Sequence, residues 1–497
     1  MASSEAATSF RLLEATIADI HSAYASGGLS CRRLVEEYLK RIEALDQKGP
    51  ALNSIITVNP RALEEADRLD AAHRKSGLTG PLHGIPVIIK DQIDAAGMPT
   101  TLGSLLFRNF RPDRDAFVVE KLKKAGAIVL AKATLGELGG GDTHGSLFGS
   151  TRNPYALDRT PGGSSGGPAA SIAANFAILA VGQEGLASIR RPAAWNCLAG
   201  MRPTAGLVSR SGVYEGWPGI AGSLGPLCRT VTDLAHLLDA LVGYDPEDPV
   251  TSAGVGHIPE SYTRYLDKDG LKGARIGILR EPMGLNSEPE SDDFREIARV
   301  FDRSVAELRA AGAELIDPIV IPQLKELLAT RPGSFYGSEE TFKVYMARNA
   351  NPPFRTREEA LRAPDFAKAD RRARARWTRT PDPKAHYQFL LAREKLMFQF
   401  LKTMADHRLD AIAHKAVEHS PTLIRDGVNP PYVDQKGAPH INTFLVFVPS
   451  IVVPAGFTRE NLPAGLCFLG RPYDDGVMIR LAYAYERATR YRRPPSL

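Results

Sequence analysis

The feature that most constrains this chain is an alternation. Stretches of helical period are followed again and again by short apolar runs of strand length. Leu34, Tyr38, Leu39 and Ile42 recur at the spacing of one helix face, as do Leu12, Leu13, Ile17 and Ile20 before them. Gly27 and Gly28 part these two helices, and Ser30 is placed to cap the second. LNSIITV then reads as a strand, ALEEADRLDAAHRK as a helix and IPVIIK as a strand ending on Lys90. FVVEKLKKAGAIVLAKA predicts helix, glycine turn, strand, and PAASIAANFAILAVG predicts a helix running into a strand. Near the end, FLVFVPSIVVPAGF reads as strand and VMIRLAYAYERAT as an amphipathic helix. Such a chain folds as α/β. No internal repeat is visible.

Composition narrows the function classes. The 497 residues are 43% hydrophobic and 24% charged, enough for a sizeable core. A net charge of +5 over this length argues against nucleic-acid or membrane-surface binding. Cys31, Cys197, Cys228 and Cys467 lie far apart, which predicts buried thiols and no zinc site or disulfide framework. The opening MASSEAATSF has no leader pattern, and no run of eighteen apolar residues occurs. A soluble, cytoplasmic protein is expected.

Two stretches break the alternation. Residues 139–167 are dominated by Gly, Ser, Thr, Pro and Asn, and long loops of this kind tend to be functional. Residues 330–440 are rich in aromatics and arginine. Their densest basic run, RRARARWTRT, reads as a solvated helix face. His414, Glu418 and His419 miss the H-x-x-E-H zinc spacing by one residue and read as ordinary loop or helix residues. The sequence calls for no cofactor and no metal.

Three residues carry chemistry in combination. Lys90 ends an apolar run: such a lysine either reaches solvent or holds its amine in a buried site, where desolvation lowers the pKa and makes a base. Ser164 sits in GGSSGG, which reads either as a flexible linker or as a backbone freed for a site. GGSSG also matches the G-x-S-x-G nucleophile elbow, but the elbow needs a strand before it, and NPYALDRTP is none. Ser188 gains its meaning only beside the other two.

GIPVIIKDQID, GMPTTLGS, RTPGGSSGG, SIRRPAAW and MRPTAGLVSRSG stand in the order and spacing of the amidase signature family, which the chain resembles over roughly 1–290 and 440–497. Lys90 and Ser164 are separated by 74 positions, and Ser164 and Ser188 by 24, as that family's triad requires. The resemblance implies a single domain over 1–497 with a mixed central β-sheet covered by helices. The segment 330–440 would be a variable helical insertion near the active site, a lid over substrate. It implies Ser188 as acylated nucleophile, Ser164 as bridging serine after a cis peptide with Gly163, and Lys90 as base. Backbone N–H groups of Gly185, Leu186, Ala187 and Ser188 would form the oxyanion hole.

The chain departs from the family where Glu184-Gly185-Leu186-Ala187-Ser188 replaces a glycine-rich segment close to Asp-Thr-Gly-Gly-Ser. Leu186 and Ala187 can still serve as backbone donors if their φ stays negative. The change speaks against a glutamine-hydrolysing subunit of the tRNA amidotransferase. The expected substrate is a small hydrophobic or aryl amide, with Gly140, Gly141, Leu186, Phe335, Tyr336 and Phe342 as binding residues. Carbamate or ester hydrolysis uses the same chemistry. The other classes are a non-catalytic scaffold and a subunit of an amidotransferase. The expected partner is the small substrate, with no nucleic acid and no membrane; a homodimer is compatible with the sequence.

Overall fold

A computed structural model describes residues 10–220 and 222–497. The first nine residues, where no leader was expected, lie outside it. Strands follow the alternation closely: β1 Ile55–Val58, β2 Pro86–Lys90, β3 Ile128–Ala133, a two-residue hairpin of β4 His144–Gly145 and β5 Gly149–Ser150, β6 Leu179–Glu184, β7 Ala199–Arg202, β8 Ser223–Cys228, β9 Arg275–Leu279, β10 Glu314–Ile319, β11 Ala411–Lys415, β12 Ser450–Phe457 and β13 Pro463–Leu469. All but β4 and β5 join one mixed eleven-stranded sheet in the order β1-β3-β2-β6-β8-β7-β12-β13-β11-β9-β10. One sheet therefore unites the chain from residue 55 to residue 469.

The helices form where the period predicts. Ser30 caps Cys31–Ile42 by accepting from Arg33 N–H, and Ala62–Ser76 and Phe117–Lys124 cover the same end of the sheet. The helix Gly166–Ala173, between β5 and β6 in the chain, is buried along its whole length. At Gly167 it has no room for a side chain: a Cβ there would lie 2.2 Å from the Thr134 carbonyl oxygen.

The segment 330–440 is partly helical, with helices Ser338–Met346, Arg357–Arg362, Arg371–Thr378 and Pro383–Asp406. It is not a pure insertion, because β11 lies within it and pairs with β13 and β9. His414 is accordingly a buried strand residue. The run FLVFVPSIVVPAGF is strand only from Ser450; its first residues, which follow the short 3-10 turn Ile441–Thr443, are irregular chain. Near the two ends of the described chain, Arg492 donates to Glu14 from Nε (2.9 Å) and Nη2 (2.8 Å). All four cysteines are free and buried. Among the described residues no helix is long and apolar enough to cross a membrane.

Candidate active site

β2 and β6 are parallel neighbours, with Ile88 opposite Ala180. Their last residues, Lys90 and Glu184, therefore emerge at one edge of the sheet. In open α/β sheets ligands bind outside the carboxyl ends of the strands. Both loops that leave this edge are built of the motifs singled out in the sequence.

Lys90 is fully buried, so its apolar approach leads inward and not to solvent. Its Nζ lies 2.7 Å from Ser164 Oγ and 3.4 Å from the Gln183 carbonyl oxygen. Burial pushes its pKa down to about 7, against the opposing pull of the Glu215 and Glu184 carboxylates, while Arg376 adds to the depression. The amine is therefore largely neutral above pH 7.

Ser164 is held by its backbone. The Gly163–Ser164 peptide is cis. The Ser164 carbonyl accepts from Gly136 N–H at 3.1 Å, and the Gly163 carbonyl accepts from Arg191 Nη2 at 2.9 Å. Gly163 must be glycine: a Cβ there would lie 2.3 Å from the Gly141 carbonyl oxygen. No strand precedes the serine, so the elbow geometry is absent.

Ser188 stands in the turn after β6. Its carbonyl accepts from Ser165 N–H at 3.2 Å, which ties the two serine loops together. No hydrogen bond joins Ser188 Oγ to Ser164 Oγ among the described residues. The N–H groups of Gly185, Leu186, Ala187 and Ser188 donate to no group among the described residues. Leu186 and Ala187 both keep negative φ, the condition for donors without glycine. The Leu186 side chain turns into a small apolar cluster with Ala187, Ala438 and Leu285.

This turn is fixed from behind by two buried arginines. Glu184 accepts from Ile189 N–H (2.8 Å), Arg190 N–H (2.9 Å) and Arg190 Nε (2.6 Å). Arg190 Nη2 donates in turn to the Leu186 carbonyl at 2.6 Å. Arg191 reaches Asp142 at 2.5 Å and stacks over the Trp195 ring at 5.1 Å. A buried ion pair of this kind specifies geometry more than it adds stability. The run SIRRPAAW carried the signal, since two adjacent arginines in a segment otherwise built for burial need partners.

The glycine loop forms a second wall. Gly140 lies against Arg376, whose Nη1 would be 2.4 Å from an added Cβ, and Gly141 lies against Asp434. Arg376 Nη2 donates to the carbonyls of Glu137 (2.8 Å) and Leu138 (2.9 Å). Arg372 donates to Asp434 at 3.1 Å. The basic run is thus no uniform solvated face: Arg372 and Arg376 clamp the loops beside the sheet edge that carries Lys90, while Arg371 and Arg374 remain exposed.

Glu215 was not legible in the sequence. It follows Tyr214, whose backbone exchanges hydrogen bonds with Gln92, two residues beyond Lys90. Its φ is +67, and its carboxylate lies beside Gly139. The side chain is open to solvent by area, yet burial raises its pKa, opposed by Arg376 and then Lys90. Both hold for a carboxylate on the wall of a cleft, exposed along one direction and surrounded by protein along the others.

The three aromatics assigned to substrate lie elsewhere. Phe342 is fully buried against Phe107, Tyr214 and Trp377, which leaves no surface for a ligand. Phe335 packs edge-on to Phe389 in another apolar cluster. Tyr336 is exposed and meets His386 edge-on, with its hydroxyl 3.5 Å from the Pro381 carbonyl. Period and composition could not tell which of several apolar surfaces each ring would join.

Residues 33–479 match the amidase family. A probable amidase of Arabidopsis thaliana is 32% identical over 98% of this chain and 92% of its own length. One subunit of the glutamyl-tRNA(Gln) amidotransferase of Methanosarcina barkeri is 33% identical, over 91% of this chain and 94% of that protein. Among solved structures, the native peptide amidase of Stenotrophomonas maltophilia superposes with a TM-score of 0.86 at 34% identity, covering 98% of this chain and 99% of that one. The chain belongs to the amidase family and is an amide-cleaving hydrolase.

Proposed function

We propose that this hydrolase cleaves the amide bond of a small hydrophobic or aryl-bearing substrate through an acyl-enzyme on Ser188, with Ser164 and Lys90 relaying the proton. The observation that carries the reading is the buried Lys90 amine 2.7 Å from Ser164, beside a turn with four undirected N–H groups.

A serine hydroxyl needs an adjacent base to become a nucleophile. Lys90 Nζ accepts the Ser164 proton as Ser164 Oγ accepts the proton of Ser188, and Ser188 Oγ attacks the amide carbon. The carbonyl electrons move to oxygen, and the oxyanion takes hydrogen bonds from the N–H groups of residues 185–188. One such donor is worth about 3 kcal/mol in the transition state. The relay then runs backwards: Ser164 protonates the leaving nitrogen, the C–N bond breaks and the amine departs. Water, activated by the same relay, hydrolyses the Ser188 ester.

Gly140, Gly141 and Leu186 are the proposed substrate-binding residues. Leu186 lies beside the nucleophile with its side chain packed on Ala438 and Leu285, and the rim of that apolar cluster is the surface proposed to meet the substrate; Phe335, Tyr336 and Phe342 are not assigned to this wall. Each buried CH₂ of substrate contributes about 0.8 kcal/mol. Similarity to a peptide amidase adds peptide amides to the candidates. Carbamates and esters could follow the same route. A non-catalytic scaffold is disfavoured, because it would not need a depressed, buried Lys90 beside a serine. An amidotransferase role, raised by the Methanosarcina relative, is disfavoured by Leu186 and Ala187 in the glycine-rich turn. The protein is read as cytoplasmic and independent of nucleic acid, and a homodimer is compatible with that reading.

The test is a hydrolysis screen of the purified chain over anilides, peptide amides, acetamide, carbamates and esters, with a serine-directed fluorophosphonate probe in parallel. The expected result is labelling of Ser188 and a kcat/KM for aryl or long-chain amides at least ~100-fold above acetamide, the effect of about 2.7 kcal/mol of transition-state binding. Comparable values for the two would remove the hydrophobic pocket, and an unlabelled, inactive chain would remove the mechanism.

A further inference from the structure

Arginine is almost never taken out of solvent without a partner. This protein keeps the rule at its fully buried arginines. Arg190 pairs with Glu184, Arg191 with Asp142 and Arg210 with Asp248, while Arg202 and Arg229 donate to main-chain carbonyls. Arg331 breaks it. It follows the helix Leu324–Leu328, at the start of the segment 330–440. Its guanidinium makes no hydrogen bond and no ion pair among the described residues, and its Nε is shut off from solvent. Burial lowers its pKa, and no carboxylate opposes that effect.

The surroundings are aromatic and uncharged. The Arg331 guanidinium lies over the half-buried Phe335 ring, 5.7 Å from its centroid. Phe335 meets Phe389 edge-on at 5.3 Å, and over Phe389, at 5.6 Å, stands Arg393, half-buried and likewise without an acid. One pair of rings thus carries two uncompensated cations. His440 cannot balance them. Burial, and then the Arg331 charge, push its pKa down to about 4, against the main-chain bonds of Leu328 and Met283, so it is neutral at working pH. Its Nε2, 3.3 Å from the Leu328 carbonyl oxygen, carries the hydrogen, and its Nδ1 is buried without a donor.

A forked cation beside an aromatic ring, with no negative group to neutralise it, is the complement of an organic carboxylate. The planar guanidinium matches a carboxylate with two parallel N–H donors, and the ring takes up an apolar body. The place is near the chemistry. Ala438 packs with Leu186 in the turn before Ser188, and Leu285 N–H donates to the Ala438 carbonyl at 3.0 Å. His440, whose N–H is 3.4 Å from the Met283 carbonyl, lies two residues further along the same chain, about 7 Å if extended.

We propose that Arg331 anchors a binding site for an organic carboxylate, with Phe335 against the apolar body of the ligand. The carboxylate belongs either to the far end of the substrate's own acyl group or to a separate small acid; the contacts at Arg331 are the same. The site does not depend on Ser188 being the nucleophile, and its test does not depend on turnover.

Isothermal titration of the full chain with 3-phenylpropanoate, against 3-phenylpropan-1-ol as its uncharged counterpart, tests it. The acid should bind at least ~10-fold more tightly than the alcohol, as hydrogen bonds to a charged group allow. Arg331→Met should remove that difference and Arg331→Lys should keep part of it, with circular dichroism showing that both are folded. An acid that fails to bind, or binds the wild type no better than the alcohol, overturns the proposal without any variant; so does an acid held equally well by Arg331→Met. Turnover then identifies the source. If kcat/KM for 4-carbamoylbenzoate exceeds that for 4-methylbenzamide by at least ~10-fold and the two become equal in Arg331→Met, the site holds the substrate's own carboxylate. If the ratio is the same in both proteins while Arg331→Met has lost the acid, the site holds a separate acid.

Discussion

The catalytic edge and the outer segment that leans on it are held by different means. At the edge, main-chain bonds set the frame of Lys90, Ser164 and Ser188 (strand pairing of β2 with β6, Gly136 N–H to Ser164, and Ser165 N–H to Ser188), and only fully buried side chains, Glu184, Arg190 and Arg191, back it. The outer segment is attached by side chains: Arg376 to the Glu137 and Leu138 carbonyls, Arg372 to Asp434, Tyr345 Oη to Asp94 at 2.8 Å, and a separate apolar cluster around Phe107, Phe342 and Trp377. Main-chain contacts persist when residues change, whereas side-chain contacts are rebuilt with every substitution. The family pattern is accordingly readable at the edge and unreadable in the outer segment.

The comparison can be broken most sharply at the edge. Ser188→Ala should lower kcat by at least ~10⁴-fold and abolish probe labelling with an unchanged circular dichroism spectrum; full activity would refute the reading. Lys90→Ala should cost about 10²–10⁴-fold. In the wild type, kcat/KM should climb with pH up to about 7 and then level, because only the deprotonated amine accepts a proton. A flat profile from pH 5 to 9 would exclude Lys90 as base.

Changes in the outer segment should be milder and should act on binding. Arg376→Ala removes two hydrogen bonds to main-chain carbonyls, worth about 1–3 kcal/mol, and should raise KM ~10-fold while kcat stays within ~3-fold. It should also move the acid limb of the pH profile upward, since the Arg376 charge depresses Lys90. Glu215→Gln should leave KM and kcat nearly unchanged and shift the limb the other way, by more than Arg376→Ala, because Glu215 is the stronger of the two charges acting on Lys90. Its carboxylate favours the charged lysine, so removing it lets the Lys90 pKa fall and moves the limb to lower pH. Shifts of the same sign in the two variants would show that these side chains do not act on Lys90 through their charge.

Much of the fold was legible because its elements are local. Ser30 capped the helix it preceded, and IPVIIK was a strand ending on the predicted lysine. The three catalytic candidates were legible through spacing and resemblance, and the structure brings Lys90 and Ser164 into contact. What stayed hidden depends on tertiary context. Glu215 sits in SGVYEGWPG, where nothing marks a carboxylate aimed into a cleft. Arg376 looked like its exposed neighbours in the basic run, because which of several arginines turns inward is set by carbonyls over 200 positions away. Phe342 looked like a pocket residue because aromatic content does not reveal direction. β11 was lost inside the outer segment because five apolar-leaning residues beside long helices carry too short a period to register.

The turn from Gly185 to Ser188 has one more consequence. In the proposed mechanism its donors are peptide N–H groups, atoms that every residue except proline brings along. Its lining, by contrast, is whatever side chain the gene encodes at 186 and 187. On that reading a substitution at 186 or 187 changes what lines the turn and leaves the peptide donors in place, so selectivity and catalysis would respond to separate mutations within the same four residues.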